Sequence, residues 1–103
     1  MDIHQNIKIL ESLIESYQLD EAQEKVSDLL STEPQNIDLM LILGKIQNKK
    51  QQYGDALNTY RAILDIDKDN EKAQAAIKMI NNILEIRRSF YFENTYTDDD
   101  LYL

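Results

Sequence analysis

Ile3, Ile7, Leu10, Leu13 and Ile14 recur every three or four residues, the spacing that gathers apolar side chains on one face of an α-helix. That stripe predicts a first helix from about Ile3 to Tyr17. Asp20, with Gln23 three residues on, reads as an N-cap opening a second helix that buries Ala22, Val26, Leu29 and Leu30, because a short oxygen-bearing side chain can satisfy the first free N–H groups. Pro34 ends the pair. A third helix starts at Asn36 or Asp38 and turns Ile37, Met40, Leu41, Leu43, Gly44 and Ile46 toward partners until the polar run Asn48 to Gln52 dissolves the pattern. A turn follows near Gln51 to Gly54. The fourth helix carries Ala56, Leu57, Tyr60, Ile63 and Leu64, and Asn70 caps a fifth whose stripe is Ala73, Ala76, Ile77, Ile80, Ile83 and Leu84. This last helix has no mate.

The pattern also repeats. With Ala22 laid on Ala56, 34 residues later, Val26 falls on Tyr60, Leu29 on Ile63, Leu30 on Leu64 and Glu33 on Asp67. A fixed period of this length means helical hairpins stacked side by side, each burying a face it cannot bury alone. Leu43 and Gly44 precede Tyr53 and Ala56 at the spacing of a Leu-Gly, aromatic and Ala signature.

On these residues the chain resembles the tetratricopeptide repeat family, over about residues 3 to 88, with the run Gly44 to Asn70 carrying most of the likeness. The resemblance implies an all-α fold: a right-handed solenoid of two helix pairs, a closing fifth helix and an aromatic, acidic tail. It implies Gly44 where the second helix crosses the first, and Ala22 and Ala56 at the closest approach. Tyr53 and Tyr60 complete the repeat packing. Leu10 stands where the family has Gly, Asn6 where it has Trp, Gln47 where it has Tyr and Lys68 where it has a second Pro. The first repeat departs further than the second.

A chain of 103 residues is of one-domain size. The division expected is a helical domain at 1–88 and a tail at 89–103. Two Gly and one Pro among many Leu, Ile, Gln, Glu and Lys are a helical composition. With no Cys there is no disulfide framework, and the opening residues mix Asp2, Lys8 and Glu11 into the apolar positions, unlike a signal-peptide core. The expectation is a soluble, cytoplasmic protein. Net charge is −8 and lies mostly in residues 1–34, which hold eight acids and two bases. Nucleic acid is a poor partner for such a surface, since affinity for it comes from cations meeting phosphates.

Candidate chemistry is sparse. The single His, His4, has no nucleophile or carboxylate arranged around it. Asp65, Asp67 and Asp69 alternate as in a calcium loop, but Asn70 replaces the turn Gly and Ala76 the bidentate Glu. No catalytic residue, cofactor or metal is therefore assigned. What remains is a surface, and the resemblance implies which: the first helix of each pair lines a concave groove for an extended peptide. Its residues here are Ile7, Glu11 and Ile14, then Asp38, Leu41, Lys45, Asn48 and Lys49, then Lys72, Ala75, Met79 and Asn82. Of the five positions with which chaperone-binding members clamp a carboxylate, only Lys72 matches, and Ile7, Glu11, Ile42 and Ala76 hold the others. The function implied is non-enzymatic binding of a protein or peptide, as a scaffold or adaptor, rather than of a chaperone tail.

Residues 89–103 lose the helical period yet hold five of the eight aromatics, Phe90, Tyr91, Phe92, Tyr96 and Tyr102. A frayed terminus is one reading. The other is a docked segment, since each aromatic can bury about 150–250 Å². Docking in its own groove or a neighbour's would make the chain a self-assembling or autoregulatory module, a homo-oligomer through the tail.

Overall fold

The computed structural model describes the backbone of residues 2–102 and the side chains of residues 2–90. Expectations placed on the side chains of Tyr91, Phe92, Tyr96 and Tyr102 lie outside the described residues. The fold is all-α. Its five helices are α1 (Ile3–Glu15), α2 (Leu19–Thr32), α3 (Ile37–Lys49), α4 (Tyr53–Ile66) and α5 (Glu71–Tyr102). The backbone of α5 passes Arg88 without a break.

Each helix packs on its sequence neighbour, and α1 touches α3 as α3 touches α5. The first helices of the pairs thus form one layer and α2 with α4 the other. Two apolar clusters fill the space between. Leu10, Ile14, Leu19, Ala22, Val26, Leu39 and Ile46 make the first; Met40, Ala56, Leu57, Tyr60, Ile63, Ala73 and Ile80 make the second. Leu39 and Ile46 of α3 lie in one cluster and Met40 in the other, so the third helix is the element both cores share. The fifth helix buries Ala73 and Ile80 completely, which closes the second cluster.

The 34-residue period extends to polar connections that an apolar pattern does not register. Both hairpins turn on a residue with positive φ, Tyr17 at 60° and Gln51 at 62°, and in each the next N–H reaches five residues back at 2.8 Å, Gln18 to the Leu13 carbonyl and Gln52 to the Gln47 carbonyl. This is the left-handed helix ending that usually takes Gly. Between the pairs, Asn36 accepts from the Leu39 N–H at 3.1 Å and Asn70 from the Ala73 N–H at 2.9 Å. Each Asn also donates through its side-chain amide to the carboxylate three residues before it, Glu33 or Asp67. Asparagine capping thus serves both junctions, and Lys68 can replace a proline without loss of the turn.

One expected cap is corrected. Helix α2 begins at Leu19 after Gln18, which places Asp20 within its first turn, where a carboxylate favours the positive end of the helix dipole. Its carboxylate pairs with Lys50, which also donates to Gln23 at 2.8 Å. Gln23 in turn donates to Gln52 at 3.3 Å. The residues read as a cap are a polar tie between the first pair and the turn of the second. Gly54 likewise lies inside α4 rather than in the turn. No helix among the described residues is long and apolar enough to cross a membrane.

Candidate functional site

The layer of α1, α3 and α5 opens onto a cleft of about 420 Å³ lined by Ile7 and Glu11 of α1, Asp38, Leu41, Ile42 and Lys45 of α3, Tyr60 of α4 and Lys72 of α5. The helical period explains the set. Ile7 and Glu11 are one turn apart, as are Asp38, Leu41 or Ile42, and Lys45, so each helix offers one face to the same space. Six of the twelve residues assigned to the groove come together here: Ile7, Glu11, Asp38, Leu41, Lys45 and Lys72. Ala75, Met79 and Asn82 are exposed further along α5. Lys49 lies one turn beyond Lys45, its ammonium 5.9 Å from the centre of the Tyr17 ring, and Asn48 is half-buried.

Ile14 is 5% exposed and belongs to the first core cluster. It follows Leu10 by four residues on the same buried stripe, so it packs and presents no surface.

Tyr60 is the lining residue the pattern did not offer. Its place on α4 marks it as core, and it is 95% buried, with 5% exposed. The ring nevertheless runs beneath α3 at Gly44: a Cβ built on that glycine would lie 2.6 Å from Cζ of Tyr60. No fully buried side-chain N or O among the described residues lacks a partner, and no described residue hydrogen-bonds to the Tyr60 hydroxyl, so the hydroxyl meets the cleft. Burial raises its pKa above the ordinary tyrosine value, which keeps it a neutral O–H donor. A glycine in α3 and a tyrosine in α4 therefore bring a polar atom from α4 past α3 to the cleft.

The other repeat-packing residues are buried or nearly so. Ala22 and Ala56 are fully inaccessible, consistent with close backbone approach. Tyr53 is half-buried against the second cluster, with the Arg87 guanidinium 5.0 Å over its ring. Gln47, standing where the family has Tyr, is buried and accepts from the Thr59 hydroxyl at 2.6 Å.

Electrostatically the cleft is mixed, and its four charged side chains are exposed to solvent. Glu11, Asp38, Lys45 and Lys72 form no ion pair among the described residues, although two acids and two bases surround one cavity. Ile7, Leu41 and Ile42 supply an apolar floor beside them. Such a lining can hold an apolar side chain and satisfy charges of both signs around it. It contains no nucleophile with a base at hand, and no group of three or more His, Cys, Asp or Glu residues that could hold a metal ion occurs among the described residues.

No curated protein and no solved structure matches this chain. The family model described as tetratricopeptide repeat matches residues 13–80, more than half of the 103 residues. That span runs from the end of α1 through both polar junctions to the buried Ile80 of α5, and the chain belongs to the tetratricopeptide repeat family.

Proposed function

We propose that the concave face of α1, α3 and α5 binds an extended segment of a partner protein. Tetratricopeptide repeats are, in general, protein–protein interaction modules without enzymatic activity. The observation that supports groove use here is the cleft itself, where four exposed charges and the Tyr60 hydroxyl, none of them paired among the described residues, surround apolar walls. These charges are exposed and hydrated, so a peptide that meets them gains charge complementarity while the apolar walls offer it area to bury. The binding unit is residues 1–88, and a cysteine-free, acidic chain fits the cytoplasm. The test is capture of partners by the intact protein and by the Lys45→Glu, Lys49→Glu variant. Partners that depend on the groove are lost from the variant; an unchanged set would place the contact elsewhere.

A second reading, self-assembly through the tail, is favoured by one observation. Ile86 and Phe90 are 69% and 65% exposed where α5 leaves the body of the fold, and such residues gain by being covered. Sedimentation at several concentrations, with and without residues 89–103, separates the readings. Association that vanishes on truncation supports self-assembly, and a monomer throughout removes it.

A further inference from the structure

The 34-residue period lines up positions at equal height on α1, α3 and α5, and two successive rows across the concave face have the same chemical order. One row is Glu11, Lys45 and Met79; the next, one helical turn on, is Glu15, Lys49 and Ile83. Each reads acid, base, apolar. Glu11 and Lys45 line the cleft together. Met79 lies seven residues, two turns, beyond the cleft residue Lys72 and hence on its face of α5. The side chains of these rows are accessible: Glu11, Glu15, Lys45 and Lys49 are exposed, Met79 is 47% exposed and Ile83 half-buried.

No direct ion pair joins the acids on α1 to the bases on α3. All four charges stay accessible to a ligand, Lys49 from its place beside the Tyr17 ring. We infer that the groove selects a peptide segment that places a basic side chain over α1, an acidic one over α3 and an apolar one over α5. This rests on the groove reading and adds its specificity. Packed helices lie about 8–10 Å apart and an extended chain advances about 3.3 Å per residue, so the three side chains fall about three residues apart. The order is fixed in space, and a segment running in either direction can supply it. Because the charged members lie on exposed faces, these contacts add selectivity and encounter rate more than raw affinity.

The test is selection of a random seven-residue display library on the full-length protein, followed by titration of the enriched peptides, as synthetic compounds, into isotope-labelled protein observed by NMR. The expected peptides carry basic, acidic and apolar residues in that order at about three-residue spacing, shift the amides of Ile7, Leu41 and Lys72, and bind roughly tenfold more tightly than versions with the two charges exchanged. A variant with Glu11→Lys, Glu15→Lys, Lys45→Glu and Lys49→Glu should prefer the exchanged version. All four positions are exposed, and a thermal melt verifies that it folds. Peptides that shift the groove amides but lack the order overturn this inference and leave the groove reading standing. No enrichment, or shifts confined to other faces, overturns both.

Discussion

A Cβ on Gly44 would stand 2.6 Å from Cζ of Tyr60, so the tyrosine ring fills the space a side chain at position 44 would need. The first pair solves the same crossing differently. Leu10 occupies the place of Gly44 and Val26 the place of Tyr60, 34 residues earlier in each case, and both are fully buried. One pair uses the smallest residue against a large aromatic; the other uses two aliphatic side chains of middle size. Packed interiors conserve volume in this way, so the missing glycine of the first repeat is a compensated exchange and not a defect.

Exchange of the two solutions gives the first prediction. Gly44→Leu alone should destabilise by about 1–3 kcal/mol or more through overpacking, and addition of Tyr60→Val should recover much of that loss. Urea denaturation of the two single variants and the double variant measures the coupling. Strictly additive losses would show that the residues do not compete for one space.

Two substitutions should stabilise. Nothing lies within 4 Å of a Cβ on Gly54, which sits in the first turn of α4, so Gly54→Ala should add about 0.5–1 kcal/mol. Gln51 holds a φ of 62° that disfavours any side chain, and Gln51→Gly should relieve about 1 kcal/mol, less the extra entropy glycine gives the unfolded chain. Its exposed hydrogen bond from Arg87 at 3.2 Å is a small loss. Thermal midpoints should rise by a few degrees in both proteins; a fall in the second would mean that the turn geometry is not what limits position 51.

The architecture was legible because apolar identity recurs at the repeat period: Ala22 and Ala56, Leu29 and Ile63, Leu30 and Leu64 point to one structure written twice. The turns were harder to read. Tyr17 and Gln51 occupy left-handed positions without the Gly or Asn that announces them, so the sequence pattern points to Asp20 as the start of α2, whereas its side chain is engaged by Lys50. The cleft was half legible. A helical wheel assigns each residue one face, which serves for short side chains such as Ile7 and Leu41. It fails for Tyr60, whose ring passes under a glycine to the opposite side of the layer, and for Ile14, which the same wheel leaves at the boundary of core and surface.

Gln47 tests the polar substitute for an aromatic. Its side-chain oxygen accepts from the Thr59 hydroxyl at 2.6 Å in a buried setting. Thr59→Val keeps the shape and removes the donor, and an acceptor left without its bond costs about 1–3 kcal/mol. The accompanying change Gln47→Leu should restore part of the loss by removing the stranded group. Chemical denaturation decides it: a Thr59→Val protein as stable as its parent would show that the bond contributes nothing.

The last prediction concerns alkaline pH. Burial raises the folded-state pKa of Tyr60 above the ordinary value of 10.0, so the unfolded chain loses this proton first. Its contribution to stability is complete below the unfolded value and is lost progressively as pH climbs from there through the raised folded value. Tyr60→Phe removes the titration while keeping the ring. Near neutral pH the variant should be about as stable as the parent, because the hydroxyl has no partner to forfeit among the described residues. Between about pH 8 and about pH 11 the parent should lose more stability than the variant, with every other tyrosine common to both and cancelling in the difference. Urea midpoints across that range supply the measurement. Parallel decline of the two proteins would mean that the Tyr60 hydroxyl is as well solvated in the fold as in the open chain, and that burial does not raise its pKa.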